Sequence, residues 1–148
     1  MHYFLIYLSA AKTPLSDKEL LAHLAKVQEN NRKNDITGIL MYSEDNFLQL
    51  LEGSKQNVEQ LFKRIASDKR HHYITKIKEG YENERFFPDS PMAFYSPHHE
   101  DYATFLELDT MSVNDLPIHG FSNTQIQIWT MLQSFYLSQP LHRKVHAT

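Results

Sequence analysis

Two stretches of this chain, Tyr3-Phe4-Leu5-Ile6-Tyr7-Leu8 and Phe47-Leu48-Gln49-Leu50-Leu51, are apolar at almost every position. Successive side chains of a strand point to opposite faces, so strands of this kind leave neither face for water. Tyr3, Leu5 and Tyr7 share one face, as do Phe47, Gln49 and Leu51. Phe4, Ile6 and Leu8, with Leu48 and Leu50, make the opposite faces equally apolar. A sheet built from these strands needs cover on both sides: helices on one, and the C-terminal segment or a partner subunit on the other. Gln49 breaks the pattern. A buried carboxamide left without partners costs about 1–3 kcal/mol, so a core strand that carries one is expected to supply something for it to bind. Tyr7, a phenol in a similarly apolar run, is the natural partner if the two strands are neighbours.

The remaining periodicity sets the order of elements. Residues 2–8 read as a strand, and Ser16 with Glu19 forms a capping box that opens a helix through about Gln28, with Leu20, Leu24 and Val27 at helical spacing. Asn30, Asn31 and Asn34 are expected to mark its exit. Strands follow at 36–42 and 47–52, joined by a hairpin turn at Glu44-Asp45-Asn46. Gly53-Ser54 starts a second helix whose stripe is Val58, Leu61, Phe62 and Ile65. A strand over roughly 73–81 comes next, and Met92-Ala93-Phe94-Tyr95 reads as a short fifth. The order βαββαβ predicts an α+β, ferredoxin-like sandwich: a five-stranded mixed sheet with two helices on one face.

Beyond residue 96 the character changes. Tyr102, Phe105 and Leu106 among acidic residues suit an amphipathic helix over 99–109. From Phe121 to Leu141 there is no charged side chain, and Ile128, Leu132 and Phe135 line one helical face with Ile126, Trp129 and Tyr136 beside it. This helix is expected to dock on the second face of the sheet. The resulting division is a domain over 1–96 and a C-terminal helical extension over 97–148 that caps the sheet or carries output.

Composition narrows the chemistry. Cysteine is absent, which removes disulfides, thiolate metal ligands, thiol nucleophiles and cysteine adducts. The four glycines, Gly38, Gly53, Gly80 and Gly120, build neither a Walker loop nor a Rossmann turn. A net charge of −3 gives no bias toward nucleic acid or an anionic membrane. The first residues lack the pattern of a signal peptide and no apolar run reaches membrane-spanning length, so a soluble, cytoplasmic protein is expected. Nine histidines, among them His71-His72 and His98-His99, invite a metal site, but adjacent residues on a strand face opposite ways and no third ligand has supporting spacing. No metal is expected.

Tyr7 and Gln49 leave two readings open: they satisfy each other inside a core, or they bind a flat heterocycle whose carbonyls and ring nitrogens match an amide edge. Asn30 and Asn31 would add amides at the rim of such a pocket. A small hydrolase of acylphosphatase type shares the fold class but needs an anion cradle after the first strand. Ser9-Ala10-Ala11-Lys12 offers neither glycine nor arginine there. A flavin-less ligand-binding or dimerisation module is the other alternative.

Leu5-Ile6-Tyr7, Asn30-Asn31 followed by Ile36-Thr37-Gly38, Phe47 through Gly53, and Asp68 ahead of Arg70-His71-His72 together resemble the BLUF family of blue-light receptors, which bind FAD noncovalently. The resemblance covers roughly residues 1–96. It implies that the isoalloxazine ring lies between the two helices, that Tyr7 is the photoactive electron and proton donor, and that Gln49 bridges the phenol to the ring. It further implies that Asn31 holds the polar edge of the ring with help from Asn30, and that Ile65 packs on one ring face. Arg64 and Asp68 fall where the family handles the ribityl and phosphate portion, and Met92 matches the methionine that relays the change to the fifth strand. FAD is the implied cofactor, with FMN and riboflavin left open. Two positions depart from the pattern. Ser90 replaces a common tryptophan, and His23 stands where an aliphatic residue usually faces the ring, free to stack on the flavin or to turn to solvent, the reading adopted. The implied function is a non-enzymatic photosensor acting through a protein partner or a change of oligomer.

Overall fold

A computed structural model of the chain describes residues 1–13, 16–43, 46–69, 71–95 and 122–137. The elements are β1 (His2–Ala11), α1 (Asp17–Lys33), β2 (Thr37–Ser43), β3 (Asn46–Gly53), α2 (Lys55–Ser67), β4 (His71–Glu82), β5 (Ala93–Tyr95) and α3 (Asn123–Leu137). The five strands form one sheet in the order β4-β1-β3-β2-β5. β5 runs parallel to β2, and the other pairs are antiparallel. The ferredoxin-like expectation holds, with β5 added beside β2.

The two faces of the sheet carry separate cores. Tyr3, Leu5 and Tyr7 of β1, Leu40 of β2 and Phe47 and Leu51 of β3 pack with Leu20 and Leu24 of α1 and Val58 and Leu61 of α2. On the opposite face Phe4, Ile6, Ile39, Met41, Leu48 and Leu50 pack with Ile128 and Leu132 of α3, and Phe135 joins them at the margin. Cover on both faces was the demand of the all-apolar strands, and α3 meets it on the second. The amphipathic stretch at 99–109 lies outside the described residues.

α1 runs five residues past the predicted exit at Gln28. Asn30 and Asn31 stay helical, and Asn34 ends the helix instead: its backbone N–H bonds to Asn30 O at 3.2 Å and its side-chain amide to the same oxygen at 2.8 Å. Asp35 then takes a φ of 54°, a left-handed conformation that short polar residues tolerate. Asn57 in the first turn of α2 donates to Asn34 O at 2.9 Å, which ties the end of α1 to the start of α2. Asn30 and Asn31, which the sequence places outside the helix, thus sit on its last turns, Asn30 on the cleft wall and Asn31 buried.

Among the described glycines, Gly38 is the one whose place is forced by close approach. Its φ is +156°, and a Cβ there would stand 1.9 Å from the carbonyl oxygen of Leu50. The β2–β3 pairing that aligns Leu40 with Gln49 depends on this contact.

Candidate functional site

The register of the sheet brings the site together. Tyr7 lies directly opposite Gln49 on β1 and β3, and Leu40 of β2 lies opposite Gln49 on its other side. The Tyr7 hydroxyl donates to Gln49 Oε1, and the Gln49 amide nitrogen points at Met92 Sδ at 3.7 Å. Tyr7 is 1 % exposed and Gln49 5 %. Gln49 therefore has a strong donor at its oxygen and only a weak sulfur acceptor at its nitrogen.

Above this pair the two helices leave a cleft that opens to solvent and has a cavity volume of about 180 Å³. α1 contributes His23, Lys26, Val27 and Asn30, and α2 contributes Leu61, Arg64, Ile65 and, just past its end, Asp68. Each set has the spacing i, i+3, i+4, i+7 of a single helix face. Tyr7, Leu40, Phe47 and Gln49 form the floor. Val27, Leu40, Phe47, Leu61 and Ile65 make up the apolar part of the lining, Asn30, Gln49 and Tyr7 supply two amides and a phenol, and Lys26 and Arg64 are exposed at the mouth.

The structure gathers Tyr7, Gln49, His23, Asn30, Arg64, Ile65 and Asp68 around one cleft. His23 is half-buried on the cleft wall rather than standing clear in solvent. Asn31 is placed differently. It is fully buried, is not among the residues that line the cleft, and donates from Nδ2 to Pro91 O at 2.8 Å. Its Oδ1 has no hydrogen-bond partner among the described residues. Met92 is buried beneath Gln49, and its own carbonyl accepts from Gln28 Nε2 at 3.2 Å. Ser90, half-buried, accepts at its carbonyl from Gly38 N–H at 3.2 Å. The side chain of Trp129 lies outside the described residues, as do those of His71, His72, His98 and His99. Among the described residues no group of acidic or histidine side chains has metal-binding geometry.

Lys26, Leu40, Phe47 and Leu61 were not singled out by sequence as wall residues. Strand alternation places Phe47 on the face of Gln49, and helical spacing from His23 and Asn30 finds Lys26, so the signal was present. Phe62 packs edge-on against the Tyr7 ring, with centroids 5.3 Å apart. The cradle required by an acylphosphatase is missing, because Ser9, Ala10 and Ala11 continue β1 as strand.

Burial pushes the Tyr7 phenol above its ordinary range. Tyr3 is raised by burial first and then by the carboxylate of Glu79, which accepts its hydroxyl. A phenol with a raised folded value stabilises the fold in full below the unfolded value of about 10, and that contribution erodes as pH climbs toward the folded value. In an alkaline titration followed by phenolate absorbance, Tyr3 and Tyr7 are expected to ionise only with unfolding. A smooth rise of all tyrosines near pH ~10 with the fold intact would contradict the buried pair.

Residues 2–93 match the family model for sensors of blue-light using FAD. The chain belongs to this family, BLUF, whose members are blue-light sensors that bind flavin. It is 36 % identical over 101 residues to the photoactivated adenylate cyclase subunit beta of Euglena gracilis, covering 68 % of this chain and 12 % of that protein. It is 30 % identical over 91 residues to the blue light- and temperature-regulated antirepressor BluF of Escherichia coli (strain K12), covering 62 % of this chain and 23 % of that protein. Among solved structures, the dark state of BlrB, a BLUF protein, superposes with a TM-score of 0.62 at 28 % identity, covering 72 % of this chain and 81 % of that one. The chain spans less than a quarter of the length of these two curated relatives. No helix among the described residues is long and apolar enough to cross a membrane.

Proposed function

We propose that this chain senses blue light through a flavin held between α1 and α2, with Tyr7 and Gln49 as the switch. The observation that carries the reading is the buried Tyr7–Gln49 hydrogen bond on the floor of the cleft between the two helices. The residues fit the group. The Gln49 nitrogen on the cleft floor lacks a strong acceptor, and behind the cleft wall the buried Asn31 Oδ1 lacks a donor among the described residues. A flavin ring edge carries both acceptors and an imide N–H, and an orphaned buried amide oxygen costs about 1–3 kcal/mol until a donor reaches it. Asn30 supplies a further amide on the wall, Ile65 an apolar surface for the ring, and Arg64 with Lys26 a cationic mouth suited to phosphates. Asp68 suits the hydroxyls of a ribityl chain. His23 is placed to stack against a bound ring.

When bound and excited, a flavin supplies an electron-accepting ring. Tyr7 would be the group that gives up an electron and its hydroxyl proton and takes both back. In the orientation described, Gln49 Oε1 accepts from Tyr7 and its nitrogen faces Met92. With the carboxamide reversed, Tyr7 changes from donor to acceptor, and the Gln49 oxygen turns toward Met92 and the cleft. Because the cavity and backbone stay in place, each arrangement is a separate minimum, and the reversed one persists until the bonds exchange back. One hydrogen bond is worth about 1 kcal/mol net and an unmet amide about 1–3, so the output is a bias of one or two orders of magnitude. Met92 passes it to β5.

FAD is the flavin we assign, and FMN or riboflavin would fit the same ring site. We read residues 97–148 as a cap and output segment rather than a catalytic domain, signalling through a protein partner or a second copy in the cytoplasm, with no nucleic acid or membrane partner. Reconstitution with each flavin tests this reading. Tight binding of FAD is expected, weaker as the phosphates are removed. Failure to bind any of the three would leave Tyr7 and Gln49 a structural pair.

A further inference from the structure

Glu52 is a buried carboxyl that the switch described above does not use. It is 3 % exposed, near the end of β3, and points away from the cleft. Oε2 accepts the Thr37 hydroxyl at 3.1 Å and the Phe87 N–H at 3.0 Å, and Oε1 accepts the Phe86 N–H. Behind Thr37, Arg85 donates from Nη1 to the Thr37 hydroxyl at 3.2 Å and from Nη2 to Asp35 Oδ2 at 3.0 Å. The donors run in one direction, from Arg85 through Thr37 to Glu52. Burial raises the Glu52 carboxyl, and the amides of Phe86 and Phe87 pull it back down.

Two consecutive backbone amides of the β4–β5 connection are thus fixed by one side chain from the strand that carries Gln49. The same connection ends at the site: Pro91 O accepts from Asn31, Met92 O from Gln28, and Met92 Sδ faces the Gln49 nitrogen. With so short a span between Phe87 and Met92, the position of the thioether follows from where Phe86 and Phe87 are held.

We propose that Glu52 is a positioning residue for the light switch, its carboxylate setting where Met92 stands against Gln49. The inference rests on the photosensor reading and adds a residue to it. A glutamine at 52 keeps the volume but offers one acceptor oxygen to three donors, and its NH2 group would face backbone N–H groups. The measurement is the dark-recovery rate of the flavin absorption shift in the FAD-loaded chain, for Glu52→Gln alone and on a Met92→Leu background. Glu52→Gln is expected to change the rate by about tenfold when Met92 is present and less than twofold when it is not, with flavin still bound. Equal effects on both backgrounds, or no effect on either, would overturn the proposal. If Glu52→Gln does not fold, Thr37→Val, which removes one donor to the carboxylate, is read on the same two backgrounds with an expected change of about threefold. A wild-type chain without any light-induced shift would refute the photosensor reading itself, a separate result from a shift indifferent to Glu52.

Discussion

Replacing Tyr7 by phenylalanine is expected to abolish the response to blue light while leaving flavin bound. The substitution keeps the ring that packs against Phe62 and removes only the hydroxyl, the sole phenolic group lining the cleft among the described residues. That hydroxyl carries the transferable proton and is the donor that fixes the Gln49 oxygen. Without it no electron and proton leave β1, and the two amide orientations lose the contact that distinguishes them. The cost to the fold is one buried acceptor left unmet, about 1–3 kcal/mol, and flavin affinity should fall only severalfold because the cleft walls are untouched. Tyr3→Phe is the matched control. Its hydroxyl goes to Glu79 and it does not line the cleft, so that variant should respond normally. Absorption spectra of both variants before and after illumination make the comparison, and a full response from Tyr7→Phe would reject the mechanism.

Gly38→Ala is expected to cost the fold outright rather than tune it. The new Cβ would lie 1.9 Å from Leu50 O, a backbone atom that cannot swing aside, at a φ of +156° that side chains rarely adopt. Relief requires β2 and β3 to separate at Leu50-Leu51, next to the Gln49–Leu40 pair, and the Gly38 N–H bond to Ser90 O would be lost with it. A penalty on the order of 4 kcal/mol follows from strain and broken pairing together. Thermal unfolding followed by circular dichroism should show a fall of more than 10 °C, on the scale of ~3 °C per kcal/mol for a chain of this size. An unchanged midpoint would mean that the strands can part there at little cost.

The sheet was legible because its apolar runs are unbroken. Strands exposed on one face would have alternated, and these do not, so the need for two covers followed directly and α3 could be assigned the second. The pairing of Tyr7 with Gln49 was legible only as a possibility from shared chemistry, since the register that sets them opposite each other depends on the whole β1–β3 ladder. The end of α1 was misplaced because asparagine disfavours helices by propensity alone. Here Asn34 caps the helix and Asn57 braces it from α2, so these contacts keep Asn30 and Asn31 helical and carry α1 five residues past Gln28. Asn31 shows the limit at the site. Its residue type pointed to an amide for a ligand, yet its burial under Pro91 rather than on the open wall depends on where the β4–β5 connection crosses α1. Glu52 gave no signal beyond an acidic residue at a strand end, because its partners, the amides of Phe86 and Phe87, lie 34 and 35 residues away in sequence.

The proposed light switch is a single side-chain amide exchanging its two ends between a phenol and a flavin. A light-minus-dark infrared difference spectrum of the FAD-loaded chain, with and without isotope-labelled glutamine side chains, reads that event directly. Label-sensitive amide bands should appear in the wild-type chain on illumination, decay with the dark recovery, and vanish in Gln49→Leu. A reversible flavin response with no label-sensitive band would show that the carboxamide does not move.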